Sequence, residues 1–252
     1  MARRRHSNRR RRGSLSFLYK LLSMLVICGA IVGALTLFFR VNTVAVTGQQ
    51  RYTQQQVVDA SGIQTGDNLF LLNKYQVAND IISQLPYIET IRINRKLPDT
   101  LLVEVEECSA VLAVVQEGNA WLVSPSGKIV DRKAASAADQ YPIIDGCTLL
   151  SPSVGSSIAL GTELSGRQES LLALLGQLER DGLLNQVNAI HLGEATVLTM
   201  DYAGRFQVEM HYHTDYSRDL RALTKTIEKL ETNQTGTIQL TWDDGTVHFI
   251  EN

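Results

Sequence analysis

LLSMLVICGAIVGALTLFF, residues Leu21 to Phe39, contains no charged side chain. As a helix rising 1.5 Å per residue it spans roughly 28 Å, close to the ~30 Å hydrocarbon core of a bilayer. Eleven of its residues are Leu, Ile, Val or Phe. On an insertion scale they contribute on the order of −5 kcal/mol. A helix also closes its backbone hydrogen bonds internally, as a bilayer demands. The stretch reads as a transmembrane helix. It is longer than the apolar run of about 7–15 residues in a secretory signal, and Phe38-Phe39-Arg40-Val41 offers no small-residue exit.

The flanks set its direction. Nine of the 24 basic residues and none of the 26 acids lie within residues 1–40. The positive-inside rule puts this end in the cytoplasm and everything after Arg40 outside. Residues 41–252 carry 15 basic against 26 acidic side chains, a net of −11. An acidic exterior argues against nucleic acid as a partner. Residues 1–20 read as a cytoplasmic basic tail, a topology signal and a contact for anionic membrane lipid, and its Arg-dense residues 1–13 read as disordered. Within the span, Gly29 and Gly33 form a G-x-x-x-G, the spacing that lets two membrane helices approach closely.

Outward from the anchor, Thr43 to Gly48 alternates as a strand that ends in a turn. Thr53-x-x-Gln56 predicts a capping box, and Gly62 a left-handed helix stop. Asn73 predicts the cap of a second helix, Lys74 to Leu85, with Val77, Ala78, Ile81, Ile82 and Leu85 on one face and Pro86 ending it. Ile91 and Ile93, then Leu101, Val103 and Val105, alternate in two strands around Lys96-Leu97-Pro98-Asp99. The order strand, helix, helix, strand, strand predicts an α+β layer, one sheet face covered by two helices.

These residues resemble a POTRA domain. The match lies in Val44-x-Val46-x-Gly48, Ser61-Gly62-Ile63, Gly66-x-Asn68-Leu69-Phe70, Leu85-Pro86-Tyr87-Ile88 and Arg95-x-x-Pro98-x-x-Leu101-x-Val103-x-Val105-x-Glu107. One such unit, residues 41–108, directly after one N-in membrane helix is similar to the FtsQ/DivIB family of bacterial cell-division proteins. The resemblance continues in Tyr141-Pro142-Ile143-Ile144-Asp145-Gly146.

Residues 109–252 read as a mixed, mainly antiparallel β domain with two helices. Val111–Val115, Ala120–Val123, Lys128–Val130, Val187–Leu192, Val197–Tyr202 and Arg205–Tyr212 have strand patterning. Ser165-x-x-Gln168 is a second possible capping box, before a helix that stops at Gly182. A further amphipathic helix is expected from Tyr216 to Glu231. Lys133 to Gln140 reads as a mobile loop. Thr237–Trp242 and Thr246–Glu251 form a hairpin around Asp244-Gly245.

The sequence carries no nucleophile elbow, Walker A loop or dinucleotide fingerprint. His211 and His213, two apart on a strand, share a face, but Phe206, Val208, Met210 and Tyr212 claim the core side. The histidines are therefore expected on a solvated face, and no third ligand is placed beside them. Cys108 and Cys147 leave a disulfide open. No catalytic residue, metal or cofactor is expected.

The resemblance implies a non-enzymatic bitopic scaffold at the division septum. Its implied partners are small bitopic proteins of the FtsB/DivIC and FtsL type and other divisome proteins, in the service of septal peptidoglycan synthesis. It implies no small-molecule substrate. A membrane-anchored envelope enzyme and a POTRA-type transport protein are the alternatives. Partner capture is expected on the hairpin, whose second strand at a sheet edge can accept an added strand. The candidates are Trp242 as aromatic anchor with Thr246, Val247, His248, Phe249 and Ile250. Phe249 and Ile250 read equally well as core. Arg95 and Pro98 are either a recruitment contact or a structural β-turn.

Overall fold

A computed structural model describes residues 14–108, 110–161, 164–241 and 246–251. Its first helix, α1 (Ser14–Phe38), starts a full turn and more before the apolar stretch and ends one residue short of it. The hydroxyls of Ser23 and Thr36 donate back to the carbonyls of Lys20 and Gly33, so the helix satisfies its own polar groups. Gly29 and Gly33 have nothing within 4 Å of the Cβ each lacks, so that side of α1 is open.

The small unit holds β1 (Thr43–Thr47), α2 (Gln54–Ser61), α3 (Lys74–Gln84), β2 (Ile88–Lys96) and β3 (Thr100–Glu107). The Thr53–Gln56 capping box is complete, Gly62 stops α2 at φ 65°, and Asn73 caps α3. β2 and β3 form the expected hairpin, whose turn contains a cis Leu97–Pro98 bond. β1 inserts parallel to β3, giving the order β1-β3-β2. Val57, Ala60, Val77 and Ile81 from the helices bury Val46, Ile93, Leu101, Val103 and Val105, while Ile91 lies at the margin.

Among the described residues the larger unit is one nine-stranded sheet. Its strands are β4 (Leu112–Gln116), β5 (Asn119–Val123), β6 (Ile129–Ala134), β7 (Ile143–Asp145), β8 (Val187–His191), β9 (Val197–Tyr202), β10 (Phe206–His211), β11 (Gly236–Gln239) and β12 (His248–Glu251). The order is β12-β11-β10-β9-β8-β7-β4-β5-β6. Two helices, α4 (Ser165–Arg180) and α5 (Tyr216–Ile227), cover one face. Leu171, Leu174, Leu175, Leu178, Leu220 and Leu223 meet Val114, Ile144, Ile190, Met200, Val208 and Ile238 there. Gly182, at φ 69°, stops α4 as expected.

Several expectations change. Lys133–Gln140 is ordered: β6 runs to Ala134 and a 3-10 helix covers Ala135–Gln140, with Ala138 buried against the sheet. α4 has Leu164 at its N-cap and no side-chain cap. Gln168 instead ties the preceding loop, accepting from Leu160 N at 2.8 Å and donating to Ile158 O at 3.3 Å. α5 ends at Ile227, a turn before Glu231. β10 ends at His211, so His213 leaves the strand and the two histidines do not share its face. His211 Nε2 lies 2.8 Å from Thr241 O.

Cys108 and Cys147 are free thiols. They pack against different cores, and burial pushes each up to about 11.

The POTRA-like unit docks on the sheet face opposite the helices, at the β4-β5-β6 end. Tyr87 is buried there among Ala113, Ala120, Leu122 and Val130. Its hydroxyl donates to Asp131 at 3.1 Å. From the large sheet, Lys128 Nζ donates to the carbonyls of Ile82 and Ile88 at 3.2 Å each. Ser126 donates to Glu89 at 2.9 Å.

Candidate partner-binding edge

The far end of the large sheet is built by a β-α-β unit. β10 leads into α5, which crosses over so that β11 joins β10 in parallel. Asp215 caps α5 through Arg218 N, and the buried Asp219 carboxylate takes hydrogen bonds from Thr214 and Arg218. β12 then folds back antiparallel on β11, pairing Gln239 with His248 and Thr237 with Ile250. Among the described residues β12 is the outer strand on this side.

The hydrogen-bonding direction follows from alternation. Gly236 N donates to Arg205 O at 3.2 Å and Leu240 N to Glu209 O at 2.9 Å, so these groups face β10. Thr237 and Gln239, between them, turn toward β12. Their partners Ile250 and His248 complete that ladder, because directly opposed antiparallel residues exchange both bonds or neither. The N–H groups of Phe249 and Glu251 therefore point out of the sheet edge.

The side chains divide by the same period of two. Val247 and Phe249 pack against the core, with Phe249 edge-on to Phe206 at 6.2 Å. His248 and Ile250 lie on the opposite face, where Ile250 is 52% exposed. Phe249 thus takes the core alternative and Ile250 does not. Thr246 is exposed, its hydroxyl 3.2 Å from His248 Nε2. Trp242, Asp244 and Gly245 lie outside the described residues, so the anchor and the hairpin turn have no structural account.

Arg95 lies near the end of β2 and not in the turn itself. Its guanidinium donates to the carbonyls of Leu69 and Leu72, clamping the loop before α3. Pro98 is exposed in the β2–β3 turn. Among the described residues no group of three His, Cys, Asp or Glu side chains is arranged to hold a metal.

The face of the sheet shared with His248 carries one cluster that spacing did not reveal. His191 places Nδ1 2.8 Å from Asp145 and Nε2 3.2 Å from Asp201. The three come from the adjacent strands β7, β8 and β9, with Asp145 46 residues before His191 and Asp201 10 residues after it. Burial opposes the imidazolium, but the Asp145 and Asp201 carboxylates outweigh it and raise the pKa above the ordinary 6.5. A raised folded-state value adds stability that is fully present below 6.5 and is lost as pH rises through the raised value. The stability difference between wild type and His191→Gln is therefore expected to be largest on the acidic side of 6.5 and to shrink above it. Thermal unfolding across pH checks this, and a flat difference refutes it.

Comparison with known proteins fits this architecture. Residues 39–107 match the POTRA domain, FtsQ-type. The chain is 26% identical over 204 residues to the cell division protein FtsQ of Geotalea daltonii, covering 78% of this chain and 70% of that one. It is 29% identical over 110 residues to FtsQ of Corynebacterium glutamicum, covering 42% of this chain and 49% of that protein. Cell division protein DivIB of Clostridium acetobutylicum is 28% identical over 123 residues, 48% of each chain. The small unit after α1 is thus an FtsQ-type POTRA domain followed by a mixed β domain. Over most of its length the chain is thus similar to the FtsQ and DivIB cell-division proteins, and the FtsQ-type POTRA domain is the part that the family model matches.

Proposed function

We propose that this chain is a non-enzymatic scaffold of the bacterial division machinery. It is anchored by α1 with residues 1–13 in the cytoplasm and both folded units outside. At the septum it captures a small bitopic protein of the FtsB/DivIC or FtsL type and links it to septal peptidoglycan synthesis. The observation that carries the reading is the edge strand β12, with outward N–H groups at Phe249 and Glu251. Strand addition there uses main-chain hydrogen bonds for affinity, and exposed Ile250 beside His248 for selectivity. The relatives' names supply the division role, and the FtsQ-type POTRA match favours it over a transport role.

The test is binding of the bitopic partner to the full chain in detergent or nanodiscs. Glu251→Pro and Val247→Pro remove N–H groups on the outward phase and leave the β11 ladder intact. At about 0.5–1.5 kcal/mol per hydrogen bond, each is expected to weaken binding roughly two- to tenfold, with thermal unfolding unchanged for exposed Glu251→Pro and lowered for Val247→Pro, which also loses a side chain packed against the core. His248→Pro removes a ladder donor and is expected to lower both. Unchanged binding by folded Glu251→Pro and Val247→Pro proteins would sink the edge site. The orientation is checked by a C-terminal reporter active only in the cytoplasm, which is expected to stay silent.

A further inference from the structure

The POTRA unit carries a group of exposed apolar side chains confined to one end. Leu71 is 78% exposed, Tyr75 86% and Phe70 47%, with Leu97 and Phe38 beside them in the same class. A folded domain in water gains nothing from presenting such residues together, and patches of this kind mark a contact surface.

Their position relative to α1 is fixed. Phe39, the residue after the helix, stacks edge-on against Phe70 at 5.1 Å. Leu69 N donates to Phe39 O at 2.9 Å, and Val41 N to Asp67 O at 2.8 Å. The Asn68 amide reaches the carbonyls of Leu35 and Thr36, in the last turns of α1, at 3.3 and 3.4 Å. The loop is also internally braced: Asn68 Oδ1 accepts from Phe70 N and Leu71 N, and Arg95 clamps Leu69 and Leu72. The β2–β3 turn with Leu97 lies at the same end, since Asp99 O accepts from Asn42 N and Thr43 N.

The apolar segment of α1, Phe17–Thr36, is 20 residues long. That is about 30 Å, one hydrocarbon core, and the uncharged stretch runs on to Phe39, so Leu35 and Thr36 lie in the last turns of the span, near the outer boundary of the core. Groups bonded to their carbonyls must share that depth. The interfacial layer extends only about 5–7 Å further out, and it is the layer that favours aromatic and amphipathic side chains.

We propose that Phe38, Phe70, Leu71, Tyr75 and Leu97 form a collar that seats the POTRA unit on the bilayer surface where α1 emerges, with lipid as the occupant of this patch. The proposal rests on α1 being a membrane span. The collar gives the domain a second attachment besides the helix, so the unit stands in one orientation on the membrane instead of swinging on its anchor.

The experiment uses the full chain in phosphatidylcholine–phosphatidylglycerol vesicles with no partner protein. Cys28, Cys108 and Cys147 are replaced by Ala, and single cysteines are introduced as Leu71→Cys, Tyr75→Cys, Val26→Cys or Lys229→Cys and labelled with an environment-sensitive fluorophore. Labels at 71 and 75 are expected to be quenched by lipids bearing a nitroxide near the headgroup, the label at 26 by a nitroxide deep in the acyl chain, and the label at 229 by neither. If 26 is quenched while 71 and 75 behave like 229, the collar is wrong and the span stands. Such a result would leave a partner's membrane helix as the patch's occupant. If 26 escapes the deep quencher, α1 does not span and both readings fall. Using two collar sites keeps the result independent of damage by either label.

Discussion

Gly236→Ala is expected to strip β12 from the sheet and abolish partner capture while leaving the POTRA unit folded. A Cβ at Gly236 would overlap the carbonyl oxygen of Ile250, with Ile250 C and Glu251 Cα both at 3.0 Å. These are backbone atoms and cannot rotate aside. Gly236 cannot retreat either, because its N–H is bonded to Arg205 O and it is paired with Phe206 on the other side. The strain is relieved most cheaply by releasing β12, the outer strand, which also exposes the Phe249 ring and the edge of Phe206. Amide hydrogen exchange is the direct measurement. Protection at His248 and Ile250 should vanish, with Val57, Val77 and Ile81 unaffected. Retained protection at both would mean that the chain accommodates the methyl group, and the geometry assigned to this edge would be wrong.

Ile81→Ala is expected to destabilise the POTRA unit by about 2–5 kcal/mol, the range for deleting a large buried aliphatic side chain and leaving a cavity. Ile81 is fully buried in the core that Val57, Leu101 and Val103 share. Besides this face, α3 is tied by the Asn73 cap, by Lys74 Nζ donating to Ile93 O and by Gln84 donating to Ala60 O. Its length of 11 residues is marginal for an isolated helix, so its stability comes from this packed face. Denaturant unfolding followed by a probe in the POTRA unit measures the loss. A change under about 0.5 kcal/mol, typical of a surface site, would place the helix face in solvent and break the fold assignment.

What could be read beforehand was what local chemistry decides. Thr53-x-x-Gln56, Gly62 and Asn73 act within one helical turn, so their roles are visible without the rest of the chain. The hairpin of β2 and β3 needs only alternation and a short turn. Long-range pairing left no such trace. β1 and β3 run parallel with Val44 beside Leu101, and nothing in Thr43–Thr47 names its neighbour. Arg95 read as a turn residue because the carbonyls it serves lie more than 20 residues away. The 3-10 helix at Ala135–Gln140 has weak propensity signals and is held by tertiary burial of Ala138. At the candidate edge, the period of two placed Phe249 and Ile250 on opposite faces. Which face was inside depended on the register with β11, which only the structure supplies.

Tyr87 and Lys128 fasten the POTRA unit to one end of the large sheet, and β12 is at the other. Eight strand spacings of about 4.8 Å separate them, roughly 38 Å. The intervening strands act as a ruler. A strand added at β12 lengthens the sheet outward by one increment and leaves the seam at Tyr87 untouched. Under the proposed function, a partner strand at β12 and the POTRA collar on the membrane would therefore be held at a set separation and would not compete for space.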